Sequence, residues 1–285
     1  SLVPHDNQMI STCDIPLALA LSGGGIRAMA FHMGVLKYLA EKNRLENVQH
    51  ISTVSGGSLI LGLIFKSNEM IWPTSKIFLE NTIPDLRKKI CSKSLMIGMI
   101  RQLKNPKNFK FLLSRSNLLA NTLNDEWGIN YKLSEIPDYP VWHINATTAE
   151  TGKRFRFKKK DLGEYSLGYT EETQKFPLSK AMAVSAAFPG GIGPLVINTT
   201  DYKWHKRPWG KLKNENKEIL LGYTRLHLYD GGVYDNLGLE PFFDTGKQEK
   251  KEGISSETVL IVSDAGAPLA QSFLSKQLSP WRLKH

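Results

Sequence analysis

The sequence predicts an α/β fold with a mainly parallel central sheet, because strand-like and helix-like segments alternate from its amino-terminal part onward. The apolar run LALAL precedes three glycines and the segment IRAMAFHMGVLKYLAEK, which has helical periodicity. The β-branched run HISTV precedes SGG and the apolar SLILGLIF. Two successive units of strand, glycine turn and helix favour a parallel sheet with helices on both faces.

Composition limits the possible classes of protein. The 285 residues, 41% of them apolar, can build one large domain or two small ones. The net charge of +10 suggests an anionic partner, such as nucleic acid, a membrane surface or a phosphorylated substrate. The two cysteines, Cys13 and Cys91, form no metal motif or disulfide framework and favour a reducing, intracellular setting. No apolar run approaches the roughly 18 residues of a membrane span, so any membrane contact should be peripheral.

The spacing of apolar residues in the first predicted helix indicates which side chains face the core. The expected core positions are Phe31, Val35, Tyr38 and Leu39. The second predicted helix, in SLILGLIF, is apolar on most sides, which predicts that it is buried.

The stretch from Lys66 to Ala120 is strongly basic, since its many lysines and arginines face few acidic residues. Within it, SLMIGMIRQLKNPKNFKFLL predicts an amphipathic helix pair broken at Pro106. Two interpretations remain open for the basic residues. They are the solvated faces of ordinary surface helices, or they form a cap that rests on an anionic lipid surface.

Further strands are predicted in the second half of the chain. VWHINATTAETGKRFRF indicates two strands joined by a turn at 150–153. LHLYD and TVLIVSD are strand-like and end at Asp230 and Asp264. Open α/β sheets place their active groups at such strand ends, so both aspartates are candidate site residues.

Ser55 lies in a predicted strand-to-helix turn that resembles a nucleophile elbow. Such a turn is strained and needs small neighbours, here Gly56 and Gly57, and it presents the serine hydroxyl at a helix amino terminus. Thr53 stands where the usual Gly-x-Ser-x-Gly pattern has its first glycine. A serine before two glycines is also typical of a plain helix cap, so that alternative remains open.

The glycines at 23–25 have two possible uses. Backbone amides at a helix start can bind the phosphates of a dinucleotide, but Ala28 stands at the third glycine of that fingerprint and no acidic residue ends the following strand. If Ser55 attacks an ester, the amides of Gly24 and Gly25 are well suited to bind the oxyanion that forms. The second use is the better fit to the sequence.

A serine nucleophile needs a group that takes its proton. The seven histidines all lie in ordinary core or surface settings. Asp230 is favoured because it ends a strand directly before Gly231 and Gly232, which allow close approach of a ligand or loop. With an ordinary pKa of about 3.9, it needs burial or a direct hydrogen bond to serve as a base. Asp264 is the competing carboxylate, and Asp235 is expected to brace the loop.

Four motifs together resemble those of the patatin-like phospholipases, a family that is similar to the catalytic domains of cytosolic phospholipases A2. The motifs are SGGGIRA, VSGGS, AVSAAFPG and YDGGVYDNLG, in the family's order and spacing. The resemblance covers most of the chain. It implies a three-layer α/β sandwich. We expect a single domain over residues 1–285, with a basic, partly helical cap at about 66–135.

The resemblance also implies roles for individual residues. Ser55 and Asp230 would be a catalytic dyad that works without histidine, and Gly23, Gly24 and Gly25 would form the oxyanion hole. Arg27 would steady the glycine loop or meet a phosphate, and Phe188 and Pro189 would lie near the acyl pocket. Ser22 replaces an aspartate that often precedes the glycines, and Thr53 replaces the first elbow glycine.

The function expected from these residues is lipid acyl hydrolysis, of the phospholipase A or lysophospholipase type, through an acyl-enzyme. A non-lipid serine esterase or thioesterase, or a non-catalytic nucleotide-binding module, is the alternative. We expect no metal or other cofactor and no nucleic acid partner. An anionic membrane surface is the expected partner, and the expected location is the cytoplasm with peripheral membrane association.

Overall fold

The computed structural model describes residues 15–92, 115–186, 193–206, 217–244, 246–251 and 253–265. The strands are β1 Leu17–Leu21, β2 Val48–Thr53, β3 Val141–Thr148, β4 Arg154–Phe157, β5 Leu162–Glu164, β6 Gly168–Thr170, β7 Leu195–Asn198, β8 Trp204–Lys206, β9 Lys217–Ile219, β10 Arg225–Asp230, β11 Phe243–Asp244, β12 Glu249–Lys250 and β13 Val259–Ser263. The helices are α1 Gly25–Glu41, α2 Gly56–Ser67, α3 Ser75–Ile77, α4 Ile83–Ser92, α5 Arg115–Asp125, α6 Leu178–Ser185 and α7 Gly232–Asp235. A π-helical turn, Phe78–Thr82, joins α3 to α4.

Most of the described strands form one mixed sheet in the order β13-β1-β2-β3-β4-β5-β6-β8-β9. The pairings of β1 with β13, β1 with β2, and β2 with β3 are parallel. The strands from β4 onward add antiparallel pairings, and β10 pairs antiparallel with β3 and β7. The predicted α/β fold is confirmed, and its parallel strands are the ones that lead into the glycine turns.

β1 lies between two hydrophobic clusters of the described residues, which explains why LALAL is apolar throughout. Leu19 and Leu21 belong to the large core between the sheet and the helices. Ala18 and Ala20 point to the other face, where Phe242 covers them in a smaller cluster. A strand buried on both faces has no polar alternation, as its sequence indicates.

The other elements predicted from hydrophobic patterns are also found. α2 is buried along 56–65, as its apolar sequence predicts. The hairpin of β3 and β4 pairs as expected around its turn. β10 and β13 end at Asp230 and directly before Asp264.

The predicted core face of α1 is wrong for two of its four residues. Phe31 is 43% exposed and Tyr38 is 60% exposed, whereas Leu39 is buried. The buried positions are Ala28, Met29, His32, Leu36, Leu39 and Ala40. The reason is the close approach of α1 to α2, because a β-carbon placed on Gly56 would lie 3.0 Å from Cβ of Ala28. Large aromatic side chains cannot face a helix at that distance.

The basic stretch is described only in part. α4 buries Leu86 and exposes Arg87 and Lys88. The helix pair predicted around Pro106 falls largely on 93–114, which lie outside the described residues. Of the helices in the described part of the chain, none is long and apolar enough to cross a membrane.

Candidate active site

Ser55 and Asp230 are brought together because two strands share one edge of β3. β2 pairs with the first half of β3, up to Thr53 opposite Ile144. β10 pairs with the second half in the opposite direction, and Asp230 lies opposite Ala146. β4 occupies the other edge of β3, so β2 and β10 run toward each other along the same edge. Ser55, two residues beyond Thr53, therefore reaches the level of Asp230.

Ser55 occupies a sharp turn between β2 and α2. Its backbone has φ 51° and ψ −118°, a conformation that non-glycine residues rarely adopt and that costs about 1–3 kcal/mol. Ser55 is the residue directly before α2, but its side chain makes no capping hydrogen bond. The plain helix cap therefore does not describe this serine. Its hydroxyl instead interacts with the carboxyl group of Asp230 and lowers the pKa of that group.

The two glycines after Ser55 allow backbone segments to approach closely. A β-carbon placed on Gly56 would lie 2.2 Å from the carbonyl oxygen of Gly25. One placed on Gly57 would lie 2.5 Å from the carbonyl oxygen of Leu21. Because both neighbours are backbone atoms, neither could move aside as a flexible side chain could. These glycines allow α2 to begin in contact with β1 and with the glycine loop.

The glycines after β1 differ in what their amides do. The Gly23 amide donates a hydrogen bond to the backbone carbonyl oxygen of Asn236 at 3.0 Å. The Gly24 and Gly25 amides donate to no group in the described part of the chain, and both residues are exposed. Gly24 has φ 139° and Gly25 has φ 64°, which favour glycine. A β-carbon on Gly23 would lie 3.3 Å from Cβ of Ser55, so the loop adjoins the serine.

Ser22 and His32 fix the base of the glycine loop. The Ser22 hydroxyl donates to the Gly23 carbonyl at 3.1 Å and accepts from the Ala265 amide at 2.8 Å. The buried His32 places Nε2 2.8 Å from the Ser22 carbonyl oxygen and Nδ1 2.7 Å from Oγ of Ser263. Because a carbonyl oxygen can only accept, Nε2 carries the proton in the neutral ring. Burial lowers the pKa of His32, which favours this neutral form.

Asp230 is a buried carboxylate, with only 4% of its surface exposed. It accepts a hydrogen bond from the Gly232 amide at 2.6 Å and interacts with the Ser55 hydroxyl. Burial raises the pKa of Asp230 to about 6, although the Gly232 amide and the Ser55 hydroxyl act in the opposite direction. The carboxylate is therefore ionised at pH 7 and is more basic than an exposed aspartate.

The turn after Asp230 is packed against β3. A β-carbon on Gly231 would lie 2.5 Å from the carbonyl oxygen of Asn145, and one on Gly232 would lie 2.8 Å from Oδ1 of Asn236. The hydroxyl of Thr147 donates to the backbone carbonyl of Asp230 at 2.9 Å. These contacts hold the carboxylate at the end of β10.

The remaining candidate carboxylates have other settings. Asp235 accepts hydrogen bonds from three backbone amides of the following loop, those of Leu237, Gly238 and Glu240. The expectation that Asp235 braces the loop is confirmed. Asp264 is exposed after β13.

No described histidine hydrogen-bonds to Ser55 or Asp230. His227 contacts Glu150, with Nδ1 2.7 Å from Oε1. His50 and His143 pack against the ring of Phe242 at 6.2 and 5.6 Å. Among the described residues, no group of three or more His, Cys, Asp and Glu side chains is placed to hold a metal ion.

The other predicted site residues are less defined, and one residue was missed. Arg27 is exposed in the first turn of α1, near the glycine loop. Phe188 and Pro189 lie outside the described residues. The sequence patterns do not single out Asn236, whose backbone carbonyl oxygen accepts the hydrogen bond from the Gly23 amide. Its place inside the motif YDGGVYDNLG was the available signal.

Comparison with protein families places the chain in a known group. The family model described as Patatin-like phospholipase matches residues 19–243. The chain belongs to this family. The matched range begins in β1 and ends in β11, so it includes the glycine loop, Ser55 and Asp230. The predicted membership in the patatin-like phospholipases is confirmed.

Human GIVD cytosolic phospholipase A2, a solved structure, has a similar fold. Human GIVD cytosolic phospholipase A2 matches with a TM-score of 0.52 and 13% identity, over 82% of this chain and 44% of that chain. VipD from Legionella pneumophila matches with a TM-score of 0.37 and 14% identity, over 87% of this chain and 49% of that chain. The matched part is thus less than half of each of these proteins. No curated protein sequence matches the chain.

The close approach at Gly56 predicts a large effect of a single methyl group. We expect Gly56→Ala to lower the free energy of unfolding by about 2 kcal/mol, because the backbone of the glycine loop must shift. Gly34→Ala is the matched control, since nothing lies within 4 Å of a β-carbon there. It should stabilise α1 by about 0.5–1 kcal/mol. Urea unfolding of both variants measures the difference, and equal stabilities would contradict the packing.

The raised pKa of Asp230 predicts a pH-dependent cost in stability. Between about pH 4 and pH 6 the folded protein holds this proton more tightly than the unfolded chain does, so ionisation destabilises the fold as pH rises. Asp230→Asn should therefore raise the free energy of unfolding at pH 8 by about 2–3 kcal/mol. The gain should shrink below pH 6 and vanish near pH 4. Urea unfolding across this range is the measurement, and a pH-independent gain would contradict it.

Proposed function

We propose that the chain is a lipid acyl hydrolase that uses Ser55 as nucleophile and Asp230 as base. The observation that carries the proposal is the position of Ser55, in a strained turn and interacting through its hydroxyl with a buried carboxylate whose pKa is raised to about 6. A serine hydroxyl is a weak nucleophile unless a nearby base takes its proton. Membership in the patatin-like phospholipase family supports a lipid ester as the substrate.

The first half of the reaction forms an acyl-enzyme. Oγ of Ser55 attacks the ester carbonyl carbon while its proton passes to the Asp230 carboxylate. The carbonyl oxygen becomes an oxyanion, which the Gly24 and Gly25 amides bind, whereas Gly23 provides space beside Ser55. Each such donor is worth about 3–4 kcal/mol of transition-state stabilisation. The carbon–oxygen bond to the alcohol then breaks, and Asp230 returns the proton to the departing oxygen.

The second half releases the fatty acid. Water enters where the alcohol left and attacks the acyl carbon, giving its proton to Asp230. The same two amides bind the second oxyanion. The bond to Oγ of Ser55 breaks, and Asp230 protonates the serine oxygen. Both halves need the ionised carboxylate at their start, which a pKa of about 6 provides at neutral pH.

The surroundings of the dyad support an apolar, anionic substrate. Ile26 and Val233 are 56% and 53% exposed in the first turns of α1 and α7. The hydrogen bond from the Gly23 amide to the backbone carbonyl oxygen of Asn236 joins the two segments that carry these exposed apolar side chains. In this proposal Arg27 meets a lipid phosphate, and Phe188 and Pro189 contribute to the acyl pocket.

Peripheral binding to an anionic membrane surface completes the proposal. The net charge of +10 favours such a surface. On α4, Arg87 and Lys88 are exposed, and they belong to the basic stretch that the sequence indicates as a cap. Each basic residue near an anionic bilayer contributes about 1 kcal/mol of attraction.

Removal of either dyad member should abolish catalysis. We expect Ser55→Ala and Asp230→Asn each to lower hydrolysis of phospholipid vesicles by about a thousandfold or more. Asp264→Asn is the matched control and should keep the wild-type rate within about twofold, because that carboxylate is exposed after β13. The wild-type rate should rise with pH through about 6, as Asp230 ionises.

A fluorophosphonate probe separates this proposal from its alternatives. Mass spectrometry of the labelled peptide should place the probe on Ser55 in the wild type and find no label in Ser55→Ala. Full activity in either dyad variant would refute the mechanism. Much faster turnover of short soluble esters than of vesicles would instead favour a non-lipid esterase.

Charge reversal on α4 tests the membrane surface. Arg87→Glu combined with Lys88→Glu should weaken binding to vesicles of phosphatidylcholine and phosphatidylserine by about tenfold or more. Lys217→Glu with Lys247→Glu carries the same charge change at other exposed positions and is the control. Sedimentation with vesicles measures binding. Equal weakening by both pairs would show an effect of net charge alone, and no weakening by the first pair would exclude α4.

A further inference from the structure

A chain of buried hydroxyl groups lies behind Ser55. Thr53, Ser58 and Ser185 are each fully buried. The Ser58 hydroxyl donates to Oγ1 of Thr53 at 2.8 Å, and the side-chain oxygens of Ser58 and Ser185 are 2.8 Å apart. The Ser55 amide donates to Ser185 twice, to its side-chain oxygen at 3.1 Å and to its carbonyl oxygen at 3.0 Å. These hydrogen bonds therefore join the end of β2 to the backbone of Ser55.

Donor and acceptor chemistry fixes the direction of each hydrogen bond in this network of hydroxyl groups. The indole N–H of Trp142 can only donate, and it lies 2.8 Å from Oγ1 of Thr53. The Thr53 hydroxyl points its own proton to a β3 carbonyl oxygen at 3.5 Å. Ser58 uses its proton on Thr53, so Ser185 supplies the proton between the two serines. Oγ of Ser185 then has a lone pair for the Ser55 amide.

Thr53 is a position at which this chain departs from the usual elbow pattern, which has glycine there. A glycine would leave the buried indole N–H of Trp142 and the hydroxyl of Ser58 without this acceptor. Buried polar groups without partners are unfavourable. The hydroxyl group of Thr53 therefore has a structural role, because it accepts hydrogen bonds from both of these buried donors.

We propose that Thr53 is a positioning residue for the nucleophile. Through Ser58 and Ser185, its hydroxyl holds the Ser55 amide and so maintains the strained backbone that directs the serine hydroxyl to Asp230. The inference rests on the proposed function, in which Ser55 attacks the substrate. Thr53 precedes the strained residue and Ser58 follows it, so their hydrogen bond closes the turn from inside.

Loss of the Thr53 hydroxyl should impair the chemical step and leave substrate binding unchanged. Thr53→Val keeps the side-chain shape and removes the hydroxyl. We expect kcat for a soluble short-chain ester to fall about tenfold, with KM unchanged within about twofold. Labelling of Ser55 by the fluorophosphonate should slow by the same factor. Thr53→Ser retains the hydroxyl and should keep both rates within about twofold of the wild type.

A second variant keeps the test decisive if Thr53→Val does not fold. Ser58→Ala removes the next hydroxyl of the same hydrogen-bond network, one step nearer Ser55. It should lower kcat and the labelling rate to a similar degree. Where both variants fold, the double variant should be no slower than the slower single variant, because one network is broken in each.

Clear outcomes would overturn the inference. Folded Thr53→Val with wild-type kcat and labelling rate, whatever its melting temperature, would show that the network serves stability alone. A loss in Thr53→Ser equal to that in Thr53→Val would show that shape, not the hydroxyl, matters. If the wild type neither hydrolyses esters nor reacts at Ser55, the proposed function fails, and this inference fails with it.

Discussion

The length of β3 relative to β2 is the constraint on which the site depends. β2 pairs with β3 only as far as Ile144, which leaves the backbone groups beyond it needing partners. β10 provides them from the opposite direction, at 146–148. Two strands consequently end face to face, and each must turn away at once into a helix. The site lies in the space between those two turns.

The two abrupt turns explain the local sequence on both sides. After β2, Gly56 and Gly57 allow α2 to start against the backbone of Gly25 and Leu21. After β10, Gly231 allows the chain to pass the carbonyl oxygen of Asn145. Gly56, Gly57 and Gly231 are therefore a consequence of the strand geometry, because a β-carbon at each would meet backbone atoms.

The same geometry has two energetic costs. Ser55 has a strained backbone. Asp230 is a buried carboxylate, and no cation among the described residues contacts it. Burial disfavours the ionised carboxylate, which makes Asp230 a stronger base than an exposed aspartate. A residue that binds a proton more readily when folded is one whose ionisation reduces stability. Basicity and instability thus have one physical cause at this position.

Sequence patterns predicted those features that depend on local structure. LALAL, SLILGLIF and the hairpin of β3 and β4 were recognised because their hydrophobic patterns reflect burial directly. Phe31 and Tyr38 were misplaced because helical spacing shows that a helix has an apolar face but not which small residue must meet a neighbouring helix. The hydrogen bond from the Gly23 amide to the backbone carbonyl oxygen of Asn236 joins segments far apart in the chain, so a local motif can include Asn236 but cannot show its partner.

The two departures from the family motifs show why a mismatch with a pattern is weak evidence against a site. Ser22 and Thr53 both place a small hydroxyl residue where the motifs have another type. In each case the hydroxyl is fully used, by Gly23 and Ala265 at Ser22, and by Trp142 and Ser58 at Thr53. A motif records one way of fixing a turn, whereas the chemistry requires only that the turn be fixed. The hydrogen-bond partners of the substituted side chain, which only the fold reveals, therefore decide whether a departure weakens the site or supports it differently.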